Sequence, residues 1–202
     1  LNLCNKNMEK MDANNYDSGN AKHKLLAEVC YAAQQEGKSI TGRYPQHQQT
    51  NEGTSSQLCT VLARSFADIG DIIRGRDLYR GNSKEKNRRK QLESNLKRIF
   101  GKIHSDVTRG KTNGRNGQAL KTRYGNDPNF FQLREDWWTA NRETVWKALT
   151  CDAHGTYFHA TCSERNGGCS QANNKCRCPK SRDNKPNDQV PTYFDYVPQY
   201  LR

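Results

Sequence analysis

A mostly α fold, a disulfide-braced helical bundle with long loops, is what this 202-residue sequence predicts. Three observations lead there. Apolar residues recur at three- and four-residue steps in several long segments, the signature of amphipathic helices. The hydrophobic fraction is 33 % and the mean hydropathy −1.10, so a core built from apolar burial alone is thin. Eight cysteines, Cys4, Cys30, Cys59, Cys151, Cys162, Cys169, Cys176 and Cys178, form an even, irregularly spaced set suited to disulfides in an oxidising compartment. The chain is therefore expected outside the cytosol. No stretch approaches the roughly 18 consecutive apolar residues of a membrane span, and Leu1-Asn2-Leu3-Cys4 lacks the character of a signal peptide. Any anchor or address is expected elsewhere, with no membrane insertion by these residues.

The elements follow in order. Leu25, Leu26, Val29, Cys30 and Ala33 predict a short helix over 22–35, ended by Gly37. Residues 39–56, rich in Gly, Gln, Thr and Ser around Pro45, read as an exposed loop. Leu58, Val61, Leu62, Phe66, Ile69, Ile72 and Ile73 give a second helix one apolar face, with Ser55 or Ser56 as N-cap and Gly75 at the far end. Its Arg64, Asp68 and Asp71 side is expected in water. A third helix runs over about 83–107 on Leu92, Leu96, Ile99, Phe100, Ile103 and Val107.

Residues 108–127 have glycines and basic residues without apolar period, and predict a mobile loop. Phe130, Leu133, Trp137, Ala140, Val145, Trp146 and Leu149 fit a long core helix. On it Trp137 and Trp146 share the buried face, and Trp138 points elsewhere. Five of the eight cysteines fall within 151–187, a loop shaped by covalent links. Thr192 to Arg202 is aromatic and reads as the start of a helix, with Pro198 at a kink or in a first turn and Tyr193, Phe194 and Tyr196 packed. The organisation expected is a loop-rich N-terminal portion over 1–56 with one short helix, then a helical subdomain over 57–202 with a Cys-rich loop at 151–187 and a truncated C-terminal helix. No fixed-period repeat is present.

The formal charge is +12, and the segment from Arg74 to Arg123 holds 16 Lys/Arg against 4 Asp/Glu, so it carries the whole surplus. Such concentration makes a local positive field that attracts polyanions: nucleic acid, anionic lipid or sulfated polysaccharide. Charge alone does not choose among them.

The stretch from Ala63-Arg64-Ser65-Phe66-Ala67-Asp68-Ile69-Gly70-Asp71-Ile72-Ile73-Arg74-Gly75 to Asp77-Leu78-Tyr79 resembles the opening motif of a known family. Leu133-Arg134-Glu135-Asp136-Trp137-Trp138-Thr139-Ala140-Asn141-Arg142, Val145-Trp146-Lys147-Ala148, Cys176-Arg177-Cys178 and Val190-Pro191-Thr192-Tyr193-Phe194-Asp195-Tyr196-Val197-Pro198-Gln199-Tyr200-Leu201-Arg202 resemble its later blocks in the same order. The family is the alpha class of Duffy-binding-like domains of Plasmodium falciparum erythrocyte membrane protein 1, and the resemblance covers nearly the whole chain. It implies a helical, disulfide-bonded adhesion module on the infected red-cell surface, involved in cytoadherence and rosetting. It also implies host partners that vary among members: heparan sulfate or heparin, complement receptor 1, blood-group sugars, and a neighbouring cysteine-rich interdomain region. The family's third subdomain is not matched, and no short receptor signature transfers residue by residue.

With that resemblance the basic segment reads as a sulfated-glycan site. Arg74, Arg76, Arg80, Lys84, Lys86, Arg88, Arg89, Lys90, Lys97, Arg98, Lys102, Arg109, Lys111 and Arg115 are its candidate residues, arginine by bidentate contact and lysine as a point charge. The bland reading is a solvated charged helix, and a scaffold whose receptor site belongs to a neighbouring domain is a further one.

A rival class comes from Cys151-x2-His154-x4-His159-x2-Cys162, which has the ligand count of a zinc knuckle and beside a basic stretch suggests nucleic-acid binding. The remaining Cys169, Cys176 and Cys178 make no second site, the ligand order is unusual, and the resemblance implies disulfides, three or four among the eight cysteines, so no metal and no cofactor is expected. Cys176 and Cys178, one residue apart, are expected to bond to different partners. Catalysis has little support: His23, His47 and His104 stand alone, and neither His-Glu-x-x-His nor Gly-x-Ser-x-Gly occurs. Glu135 and Asp136 read as surface or capping residues.

Overall fold

The computed structural model describes residues 3–48, 57–78, 81–109, 115–125, 127–153, 162–163, 169–170, 176–178 and 190–202. Helices dominate: α1 (Lys6–Glu9), α2 (Ala21–Gln48), α3 (Gln57–Arg74), α4 (Ser83–Arg109), α5 (Arg115–Tyr124) and α6 (Phe131–Leu149), with a two-residue antiparallel pair, β1 (Cys162–Ser163) and β2 (Cys169–Ser170). Two compact units form, one of Leu1–Cys4, Cys30–Gly70 and Arg142–Arg202, the other of Asn5–Val29 and Asp71–Asn141. Helices α2, α3 and α6 each supply residues to both units.

In the first unit, Leu58, Leu62 and Phe66 of α3 are buried, as are Val145, Trp146 and Leu149 of α6, and Phe66 meets Trp146 edge-on at 5.1 Å. A disulfide joins Cys59 to Cys176 with Cα atoms 5.5 Å apart, within the range a bridge requires. Cys176 has φ +53, and its carbonyl accepts a hydrogen bond from Trp146 Nε1 at 3.0 Å, which ties the Cys-rich segment to α6. Arg142 donates to both carboxylate oxygens of the buried Asp195 at 2.8 Å and to the Thr192 carbonyl. Its guanidinium lies over Phe66, Tyr193 and Tyr196. Such planar, bidentate pairing is what makes a buried charge tolerable.

In the second unit Leu92, Leu96, Ile99, Phe100 and Ile103 of α4 pack in a core with Leu133, Trp137 and Trp138 of α6, and Phe100 meets Trp137 edge-on at 6.1 Å. Lys102 Nζ donates to the carbonyls of Ala13 and Tyr16, holding the N-terminal turn, a 3-10 turn at Ala13–Asn15, on α4.

Several elements differ from expectation. Gly37 does not end α2, which continues to Gln48 through much of the expected loop. A Cβ at Gly37 would stand 1.9 Å from the Leu149 carbonyl oxygen, so glycine is there to admit a backbone, and packing outweighs its weak helix propensity. The 108–127 loop contains α5, fixed by Arg123 and Tyr124 against Asp136. Asp68 and Asp71 are buried rather than wet, because Asp68 pairs with Arg202 and Asp71 with Arg74. Trp138, expected to point elsewhere, is fully buried beneath Arg74. The C-terminal segment forms 3-10 turns at Phe194–Tyr196 and Gln199–Leu201, with Pro198 capping the second. There Asp195 turns inward to Arg142, and Tyr193 and Tyr196 lie against that guanidinium while remaining about half exposed.

Three of the eight expected disulfide cysteines do not pair: Cys4, Cys30 and Cys151 are free thiols. Burial within α2 pushes the Cys30 thiol up to about 11, and burial and the Glu36 carboxylate raise that of Cys4. Cys151 lies exposed in the turn after α6. Cys176 bonds to Cys59 rather than to Cys178, which is itself disulfide-bonded, and the side chains of Cys162 and Cys169 lie outside the described residues.

Replacing both Cys59 and Cys176 by serine removes a link across 117 residues of sequence. The expected cost is about 4 kcal/mol, read as a lower urea midpoint with a steeper slope, because the unlinked denatured chain is less compact. Gly37→Ala is expected to destabilise by about 2 kcal/mol, measured in the same way.

Candidate functional site

The candidate site is α4. Asn82 caps it, its Oδ1 accepting from the Glu85 N–H at 3.0 Å, and the apolar stripe from Leu92 to Ile103 turns one face inward. The remaining circumference is where the cations lie. Lys84, Lys86, Arg88 and Lys90 are exposed and have no carboxylate partner among the described residues. Lys86, Lys90 and Lys97 recur at steps of four and seven, one side of a helix of about 3.6 residues per turn. Lys97 and Arg98 are exposed as well, each donating to a neutral amide, Asn129 and Asn14.

The other candidates sort differently. Arg74 is 1 % exposed: it pairs with Asp71 at 3.0 Å and Glu135 at 3.3 Å and lies over Trp138, so it serves the core and meets no ligand. Arg76 is exposed but 2.9 Å from Glu135, and Arg89 pairs with Asp77 at 2.7 Å. Lys102 is committed to two backbone carbonyls. Carboxylates therefore pair with three of the expected site residues, and carbonyls engage a fourth, Lys102, which keeps its charge. Arg80 and Lys111 lie outside the described residues, as do the side chains of Arg109 and Arg115.

The residue that positions this surface is Arg134, which the charge pattern did not single out. Fully buried, it donates through Nε to the Ile73 carbonyl at 2.6 Å and through Nη2 to the Ile72 carbonyl at 3.2 Å, closing the end of α3 where helical carbonyls lack partners. Its guanidinium also grips both oxygens of Glu93 on α4, at 2.6 and 2.8 Å. Gly75, at φ +72, leaves the room: a Cβ there would be 2.9 Å from Arg134 Nη1. The only sequence signal for this is an arginine on a predicted core helix beside glycine at a helix end.

No group of three or more potential metal ligands occurs among the described residues, and His154 and His159 of the zinc reading lie outside them. His104 packs against Phe130 at 5.3 Å, with its buried Nε2 lacking a hydrogen-bond partner among the described residues. No described helix is long and apolar enough to cross a membrane.

The model of the Duffy binding domain matches residues 1–202. The chain belongs to the Duffy binding domain family. Solved Duffy-binding domains of PfEMP1 share its fold. The NTS-DBL1-alpha and CIDR-gamma double domain of the Plasmodium falciparum varO strain is 36 % identical with TM-score 0.71 over 99 % of this chain and 25 % of its own. The NTS-DBL1(alpha-1) domain of the same strain is 36 % identical with TM-score 0.71 over 98 % of this chain and 39 % of its own. The IT4var13 DBLbeta domain bound to ICAM-1 is 31 % identical with TM-score 0.64, over 98 % and 40 %. This Duffy-binding chain thus spans well under half the length of those relatives. None of the curated proteins is similar enough to it to count as a relative.

Asp136 joins α5 to α6. Hydrogen bonds from the Arg123 guanidinium, then from Tyr124 and Gln132, hold its carboxyl below the ordinary value. A carboxyl lowered on folding stabilises above its unfolded value of about 3.9 and loses that contribution as pH falls through the lowered one. The gap in thermal midpoint between the native chain and Asp136→Asn is expected to be full at pH 6 and to close below pH of about 4.

Proposed function

We propose that this chain is a host-receptor adhesion module of an infected-erythrocyte surface protein, acting in cytoadherence and rosetting, and that α4 binds a sulfated glycan of the heparan sulfate or heparin kind. The observation that carries the glycan reading is the exposed cation face Lys86, Lys90 and Lys97, flanked by Lys84, Arg88 and Arg98, with no carboxylate partner among the described residues. Point charges on a solvated helix suit a flexible polyanion, which needs field more than fixed geometry. Arg74, Arg89 and Arg134 are engaged by the protein's own carboxylates, which leaves Arg88 and Arg98 as the exposed guanidiniums of this face. Recognition by this face is therefore electrostatic and weakened by salt.

A protein receptor is the second reading, favoured by the ICAM-1-bound DBLbeta relative. Complement receptor 1 and blood-group sugars are further partners of the same extracellular class, and a cysteine-rich interdomain region, present in the varO double domain, is the neighbour this chain is expected to have. The site on this reading is the outer face of the host erythrocyte membrane, with the anchor supplied by another segment.

On a heparin column the chain is expected to be retained at low ionic strength and released by salt. The triple variant Lys86→Glu, Lys90→Glu, Lys97→Glu should bind on the order of tenfold more weakly or less. Equal retention of that variant, with its helicity intact by circular dichroism, overturns the glycan reading.

A further inference from the structure

Beside the cation face, the second unit holds a half-open cleft of about 120 Å³ lined by Ile72, Gly75, Asp77, Arg89, Leu92, Glu93 and Leu96. Its floor is apolar: Ile72, Leu92 and Leu96 are buried side chains. Its walls are fixed. Arg134 locks the Ile72 and Ile73 carbonyls and Glu93 in place, and Asp77 and Arg89 bridge the turn after α3 to α4 at 2.7 Å. Around it two large apolar side chains stand in solvent, Phe131, 47 % exposed and packed against Gly75, and Leu78, 60 % exposed and next in the chain to Asp77.

Size decides what such a cleft can hold. Free small-molecule sites enclose about 300–1,000 Å³, so this one is too small for a saccharide or a cofactor and fits one side chain. A preformed pocket that takes a single apolar anchor, ringed by further contacts, is how protein interfaces concentrate binding energy. Charge decides what surrounds the anchor. Lys86 and Lys90 lie on α4 beside Arg89 and Glu93, and with Lys84 and Arg88 they outnumber the carboxylates there, Asp77, Glu85 and Glu93, of which Asp77 and Glu93 are already paired.

We propose that this cleft is a docking site for a protein partner that inserts one leucine-like side chain flanked by acidic residues, the apolar group seated over Ile72, Leu92 and Leu96 and the acids facing Lys86 and Lys90. The inference rests on the adhesion reading but not on the glycan, since the floor of the cleft and its anchor are apolar.

The test uses an acetylated, amidated peptide, Asp-Glu-Asp-Leu-Glu-Asp-Glu, titrated into the whole methyl-labelled chain and followed by NMR. Methyl shifts at Ile72, Leu92 and Leu96 are expected, with affinity at least tenfold weaker for the peptide bearing glycine in place of leucine and for the chain bearing Leu78→Asp. Equal affinity of the glycine peptide, shifts confined to other methyls, or no shift at about 1 mM peptide overturns the proposal. Heparin retention of Leu78→Asp is run alongside: loss of peptide binding with heparin binding kept is the result expected. If the native chain ignores heparin yet shows the leucine-dependent shifts, the glycan reading falls and the docking site stands.

Discussion

The guanidinium of Arg134 is the point on which the second unit turns. It sits with no exposure, donates to the last carbonyls of α3, and clamps Glu93 of α4. A buried cation costs several kcal/mol in lost hydration unless its hydrogen bonds are well made, and here Nε, Nη1 and Nη2 are all engaged. Because the clamp reaches Glu93, it fixes how α4 is rotated: Leu92 and Leu96 go inward and Lys86, Lys90 and Lys97 stay in water. The same α4 is thus held by arginine on one side and free to meet an anionic ligand on the other.

A second guanidinium, part-buried, plays a corresponding role in the first unit. Arg142 fastens the C-terminal turn through Asp195 and Thr192, and the Cys59–Cys176 bridge fastens the Cys-rich segment nearby in the same unit. With a hydrophobic fraction of 33 %, ion pairs and a covalent link carry work that apolar burial performs in richer cores. Arginine rather than lysine fills these interior posts because its planar fork satisfies two acceptors at once. That division of labour splits the net positive charge of the segment into a structural part and a surface part.

Helix periodicity made α3, α4 and α6 legible in the sequence, since each carries a long apolar stripe. The extent of α2 was not legible, because Gly37 looks like a stop and only the nearby Leu149 carbonyl explains it. Nor was α5, whose anchoring by Asp136 is a contact between separate helices. At the candidate site, charge counting singled out the helix that carries the exposed cations, yet it could not tell the buried Arg74 from the exposed Lys86. That distinction depends on carboxylates at Asp71 and Glu135, the second of them 61 residues away in the chain. The motif blocks carried the family, whereas the free state of Cys4 and Cys30 depends on what each thiol faces in space.

The division between cations engaged by the fold and cations left on the surface of α4 is tested most directly by lysine acetylation mapped by mass spectrometry, with and without a heparin oligosaccharide. Lys86, Lys90 and Lys97 should react readily in the free chain and be shielded by the oligosaccharide, while Lys102, bound to the Ala13 and Tyr16 carbonyls, should react slowly in both. Shielding spread evenly over Lys22, Lys24 and Lys121, or none on α4, would contradict this picture of the surface.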